Sequence, residues 1–192
     1  MKYQLKVNIM YYTTLNRIWE CRPSGNGWKK LLRFLGKTHA DDEPLSLKTI
    51  LESNGIEEAL WALRAVDDPM CERDARLFCV RCVRQCPSFL TDKRLFALLD
   101  VAERYACGDA TDSELKTARE TAQRGVWDNR LDMGWGIVLS ITQDAIRDAA
   151  WGVAQGAAWG VAQGLTWAVT WAATLAAAKE AQEKDFREIF CA

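Results

Sequence analysis

The stretch AWGVAQGAAWGVAQG at residues 150–164 constrains the fold more than any other part of the chain. Seven residues, 150–156, recur unchanged at 158–164, and a looser copy, TWAVTWA, follows at 166–172. No charged residue lies between Ala149 and Ala178. A run of this length could cross a bilayer. Its composition argues otherwise: mostly Ala and Gly, with Gln155, Gln163, Thr166, Thr170 and Thr174, two Leu, and no Ile or Phe. Transfer into lipid would gain little per residue, and the two amides would lose hydration. The expectation is a buried helix of a soluble protein, not a membrane span.

Read every four residues, the segment separates into two rows. One runs Gly152, Gly156, Gly160, Gly164, then Ala168, Ala172 and Ala176; its neighbour runs Trp151, Gln155, Trp159, Gln163, Trp167 and Trp171. On a helix these rows form a shallow groove beside a tall ridge, and a second helix can approach closely along such a groove. Four interior glycines cost roughly 3–4 kcal/mol of helix propensity relative to alanine, which close packing must offset. The four glycines are therefore candidate helix-packing positions. The row advances about 40° per four residues, so one partner helix cannot follow all of it. A long central helix, or two in series, wrapped by the earlier helices is expected. A tolerated gene duplication is compatible with the same packing.

Upstream the pattern is helical. Thr13 or Thr14 can cap a short helix to Trp19, and Ser24 or Asn26 can cap one bearing Trp28, Leu31, Leu32 and Leu35, with Gly36 as its stop. Ser46 opens LKTILES; Ile56, Ala59, Leu60 and Leu63 share one face of the next helix. DARLFCVRCVRQC places Leu77, Phe78, Cys82 and Cys86 near one face before Pro87. Thr91 can cap the helix carrying Leu95, Leu98, Leu99, Ala102 and Tyr105, and Thr111 with Glu114 forms a capping box. All four prolines precede position 88, so residues 112–190 read as helix, broken if anywhere near Gly125 or near Gly134 and Gly136. Only the first ten residues alternate with a period of two, which suits a short strand. One strand makes no sheet; residues 1–12 are read as a loose arm, or as a strand pairing with a second copy of the chain in a homo-oligomer.

With 25 basic and 26 acidic residues the net charge is -1, which argues against nucleic acid as the partner. The N-terminus lacks the apolar core of a secretion signal. Seven cysteines, an odd number, are thus expected as reduced thiols in the cytoplasm.

Chemistry-bearing clusters are few. LGKT at 35–38 ends like a phosphate-binding loop, but Leu31 stands where that motif needs Gly and a helix precedes it. Cys79, Cys82 and Cys86 could line one helical face as metal ligands, yet cysteine is among the most buried residue types. His39 with Asp41, Asp42 and Glu43 could form a base and its orienter beside a cysteine nucleophile; a solvated polar loop is the plainer reading. Neither a catalytic residue nor a metal or other cofactor is assigned. Nine Trp in 192 residues exceed what a core of this size readily uses. Trp19 and Trp28 flank the CRPSGNG loop, and Lys29, Lys30, Arg33 and Lys37 form a basic face beside them. These six are the candidate partner-binding residues, suited to steering toward an acidic surface.

The blocks GWKKLLRFLGKTHADDEPLSLKTILESNGIEEALWALRAV, RDARLFCVRCVRQC and LLDVAERYACGDATDSELKTARETA, followed by the Trp/Ala repeat, resemble a family of Ala/Trp-rich helical proteins of phages and prophages. That family is related to immunity proteins of polymorphic toxin systems. The resemblance spans roughly residues 13–190 and is most specific at 36–45 and 105–115. It assigns no functional residues. It implies a non-enzymatic protein of a phage or mobile element that inhibits a bacterial protein or complex by direct binding. An anti-defence protein, such as an inhibitor of a CRISPR effector, is the foremost reading. A toxin-neutralising immunity protein, or a metal- or thiol-dependent enzyme using the Cys79/Cys82/Cys86 face, are the alternatives. The expected fold is all-α: one domain over residues 13–190, a bundle of seven to nine helices with a long Ala/Gly/Trp-rich C-terminal segment.

Overall fold

Short polar side chains ahead of apolar runs start five of the helices. The computed structural model describes residues 10–85, 93–128, 133–142, 146–162 and 168–191. Thr14 accepts from the Arg17 amide and opens α1 (Leu15–Glu20). Ser24 accepts from the Gly27 amide and opens α2 (Gly25–Leu35), which Gly36 ends in the left-handed conformation, φ 67°. Ser46 opens α3 (Leu47–Asn54); α4 (Ile56–Ala62) follows and runs on into a 3-10 turn, Leu63–Ala65. Asp68 caps α5 (Pro69–Arg84), with Pro69 in the first turn, where its missing N–H is harmless. That start lies five residues before the predicted one, because the Asp68 cap and Pro69 begin the helix ahead of the apolar run. Next come α6 (Lys93–Cys107) and α7 (Asp112–Asp128). The capping box that opens α7 is formed: Glu114 N–H donates to Thr111 Oγ1 at 3.2 Å, and Thr111 N–H donates to the Glu114 carboxylate at 2.8 Å. The predicted Thr91 cap lies outside the described residues.

The fold is all-α, with two short strands among the described residues. Ten α-helices stand among the described residues, because the tail after α7 divides into three: α8 (Met133–Thr142), α9 (Ile146–Ala162) and α10 (Ala168–Phe190). The α8–α9 break was not foreseen, and tertiary contacts hold it. Thr142 O accepts from Arg119 Nε at 3.0 Å, and Ile141 O accepts from Arg76. At the start of α9, the Ile146 N–H donates to Glu72 Oε1 at 2.9 Å, and Arg147 Nε donates to Glu72 Oε2 at 3.0 Å. Cations thus meet the carbonyl end of α8 and a carboxylate meets the amide end of α9, as unsatisfied helix ends require.

β1 (Tyr12–Thr13) pairs antiparallel with β2 (Leu45–Ser46), and Met10 bridges to Cys191. Residues 10–13 are thus tied into the fold of their own chain. Buried Tyr11, its ring centre 5.8 Å from that of Phe190, anchors the segment inside the chain. Residues 1–9 lie outside the described residues.

Among the described residues α5 contributes the most buried side chains of any helix, 10 of its 16 residues; it packs against α6, α8, α9 and α10. The Ala/Gly/Trp segment is therefore not the sole centre. Among the described residues α9 buries Ala150, Val153, Ala154, Ala157 and Ala158 but leaves Trp151 and Gly152 exposed. From α10, Phe186 and Phe190 close on Phe78, and buried Gln182 donates to Ala154 O at 2.8 Å.

The glycine row behaves as its drift dictates. A Cβ at Gly152 would meet nothing within 4 Å, so Gly152 is not a packing contact. One step on, a Cβ at Gly156 would lie 2.8 Å from Ile137 Cδ1 of α8. The surroundings of Gly160, and all of Gly164, lie outside the described residues. No helix among the described residues is long and apolar enough to cross a membrane.

Candidate partner-binding site

The loop between α1 and α2 turns back sharply. Arg22 takes φ 59°, the one left-handed residue other than glycine among those described. The turn brings the end of α1 onto the start of α2, and Trp19 meets Trp28 with ring centres 5.2 Å apart, tilted by 44°. Trp28 is half-buried against the core, whereas Trp19 is 58% exposed. Trp28 therefore supports Trp19, and Trp19 keeps a large apolar face in water. A tryptophan buries roughly 150–250 Å², so about half that area remains available to a partner.

The expected basic face is only partly free. Lys29 and Arg33, one turn apart on α2, are exposed and carry no ion pair among the described residues. Lys30 reaches the Asn54 carbonyl at 3.5 Å. Lys37 is engaged within its own loop. Asp41 and Glu43 hold its ammonium at 2.5 and 2.6 Å, which keeps it charged and turns it toward its own loop. The Lys37 hydrogen bond in turn holds the Asp41 carboxyl below the usual range. Phe34, 56% exposed one turn after Lys30, was not foreseen and adds apolar surface among the cations.

Beside the Trp pair lies a cleft of about 170 Å³ between α2, α3, α4 and the start of α9. Trp28, Trp61 and Trp151 line it together with Asn54, Glu57 and Glu58. Sequence reasoning did not single out Trp61, Glu57 or Glu58. The signal was present: Ile56, Ala59, Leu60 and Leu63 define the buried face of α4, so Trp61 falls off it. Lys179 Nζ sits 2.7 Å from Glu57 and, with Gln155, lowers its pKa.

The other candidate chemistries find little support in the geometry. Cys79 and Cys82 are enclosed in α5, and burial pushes both thiols well above their ordinary range; Cys71 is pushed up to about 12 for the same reason. None of the three supplies a thiolate near neutral pH. Cys86 lies outside the described residues. Among the described residues, no cluster of three or more His, Cys, Asp and Glu could hold a metal. His39 is exposed, its Nδ1 3.2 Å from Thr38 Oγ1, and no carboxylate among the described residues hydrogen-bonds it. No family model, no curated protein and no solved structure matches this chain.

Proposed function

We propose that the protein acts without turnover, as an inhibitor that binds a bacterial protein or complex through the Trp19–Trp28 surface. The observation that carries the reading is Trp19 itself, an aromatic ring left in water on a rigid aromatic support, with Lys29, Arg33 and Phe34 on the adjoining helix. Binding energy concentrates in a few aromatic and arginine side chains, and rim charges set encounter rates more than affinity. The anti-defence role in a phage or mobile element rests on the resemblance of the Gly36–Leu45 and Tyr105–Leu115 blocks and the Trp/Ala repeat.

The test is an affinity capture from bacterial lysate with the parent, Trp19→Ala and Arg33→Glu proteins, followed by affinity measurement on the captured partner. Trp19→Ala should weaken binding roughly 30-fold or more, the equivalent of about 2 kcal/mol at a hot spot. Its Tm should change little, because the ring is mostly outside the core. Arg33→Glu should slow association and weaken its salt dependence. Parent-like binding by both variants would place the interface elsewhere.

A further inference from the structure

We propose that the cleft between α2, α4 and α9 receives the guanidinium of an arginine side chain presented by the partner protein. The inference deepens the binding reading above and rests on it for the source of the arginine. Three tryptophans, Trp28, Trp61 and Trp151, line one small space, and indole faces attract cations through their quadrupole. Trp61 already does this within the chain: the guanidinium of Arg64 sits 4.9 Å from its ring centre.

Two idle acceptors set the ligand's polarity. Asn54 Oδ1 is buried and has no hydrogen-bond partner among the described residues, while its Nδ2 donates to the Gly27 carbonyl at 2.8 Å, which fixes the amide orientation. The Glu58 carboxylate leans over Gly27, with Oε1 3.5 Å from the position a Cβ would take there. Among the described residues it makes no hydrogen bond or ion pair. Glu57, the other carboxylate lining the cleft, is already engaged by Lys179.

These features select among ligands. A carboxylate or phosphate would meet two glutamates and no lining cation. A purely apolar group would leave Asn54 Oδ1 unsatisfied. An ammonium fits the rings but is a compact, strongly hydrated point charge, whereas a guanidinium is planar, stacks on indole, and fans its donors toward two acceptors at once. The volume, about 170 Å³, lies below the roughly 300–1,000 Å³ of small-molecule and cofactor sites, and suits one long side chain. Gly27 is where α2 lets the Glu58 side chain lie close: a Cβ there would stand 2.8 Å from Ser24 Oγ and 3.3 Å from Glu58 Cγ.

The test uses the full chain alone, with N-acetyl-arginine methylamide as the probe and the citrulline analogue, neutral but nearly isosteric, as control. Titration is followed by tryptophan fluorescence and by indole N–H shifts. Saturable binding in the millimolar range is expected, at least tenfold weaker for citrulline and at least tenfold weaker in both Glu58→Gln and Trp151→Ala. Trp151 is 45% exposed, so its variant should fold even where another does not. No saturation, equal binding of citrulline, or parent-like binding by both variants overturns the proposal. Because no partner is present, such a failure leaves the Trp19 reading standing. Conversely, saturation by the arginine amide alongside parent-like capture by Trp19→Ala would retain the cleft and remove the Trp19 surface.

Discussion

Two glycines one turn apart on α9 should respond oppositely to the same added methyl group. Gly152→Ala places a Cβ in open space, so only helix propensity changes. The expected gain is about 1 kcal/mol, a rise in Tm of roughly 2–4 °C for a chain of this size. Gly156→Ala carries the same propensity gain, but its Cβ would stand 2.8 Å from Ile137 Cδ1, well inside the roughly 3.5–4.0 Å of a favourable carbon contact. Ile137 is 8% exposed, so its terminal methyl has little room to swing. Overpacking of this kind costs about 1–3 kcal/mol. The net effect is therefore from nothing to about 2 kcal/mol of destabilisation. Ile137→Val deletes Cδ1 and alone should cost about 0.5–1.5 kcal/mol. In that background Gly156→Ala should recover its stabilising sign, giving a coupling of about 1–3 kcal/mol between the sites. Thermal and urea denaturation of the single and double variants, followed by circular dichroism, measures every term. An equal rise in Tm for Gly152→Ala and Gly156→Ala, with no coupling to Ile137, would refute the α8–α9 contact.

Glu72→Ala removes the acceptor at the start of α9 and the partner of Arg147; it should cost about 2–3 kcal/mol, and an unchanged Tm would show that the break is held otherwise. Stability should fall as pH rises above about 9. The thiols of Cys71, Cys79 and Cys82 have pKa values raised by burial from 9.0, so the unfolded chain loses protons first; each adds up to about 1.4 kcal/mol per pH unit, and a flat Tm from pH 8 to about 10.5 would contradict their burial. Tyr11 adds to the same fall above its ordinary value of 10.0, because burial, then its 2.7 Å hydrogen bond to Asp74, raises its pKa; Tyr11→Phe should remove that part of the slope and cost about 1.5–3 kcal/mol at neutral pH. A thiol reagent should label exposed Cys107 in the native protein, and Cys71, Cys79 and Cys82 only on unfolding; prompt labelling of Cys79 would revive the thiol-enzyme alternative.

The helix starts were legible because their causes are local. Ser24, Ser46 and Thr111 each accept an amide within three residues, and the apolar spacing after them fixes the buried face. The break between α8 and α9 was not legible, because its causes lie far away in sequence. Arg76 and Glu72 from α5 and Arg119 from α7 hold the ends of α8 and α9, and no pattern within 133–162 announces them. The same contrast runs through the candidate site. Trp19 and Trp28 were visible as aromatics flanking a Gly-rich loop. The cleft needed Trp61 and Trp151, 90 residues apart by number, to be folded onto one another. Helical spacing groups Lys37 with Arg33, whereas in the fold two acidic side chains of the following loop pair with it.

The central claim is binding in place of turnover, and an inhibition titration tests it most directly. The captured partner, held at a concentration well above Kd, is titrated with the protein while its own activity is followed. The account predicts a linear loss of activity that ends near one protein per binding site, and no such loss at that ratio with Trp19→Ala. Complete inhibition at a small fraction of one copy per target, deepening with time, would reveal turnover and contradict it.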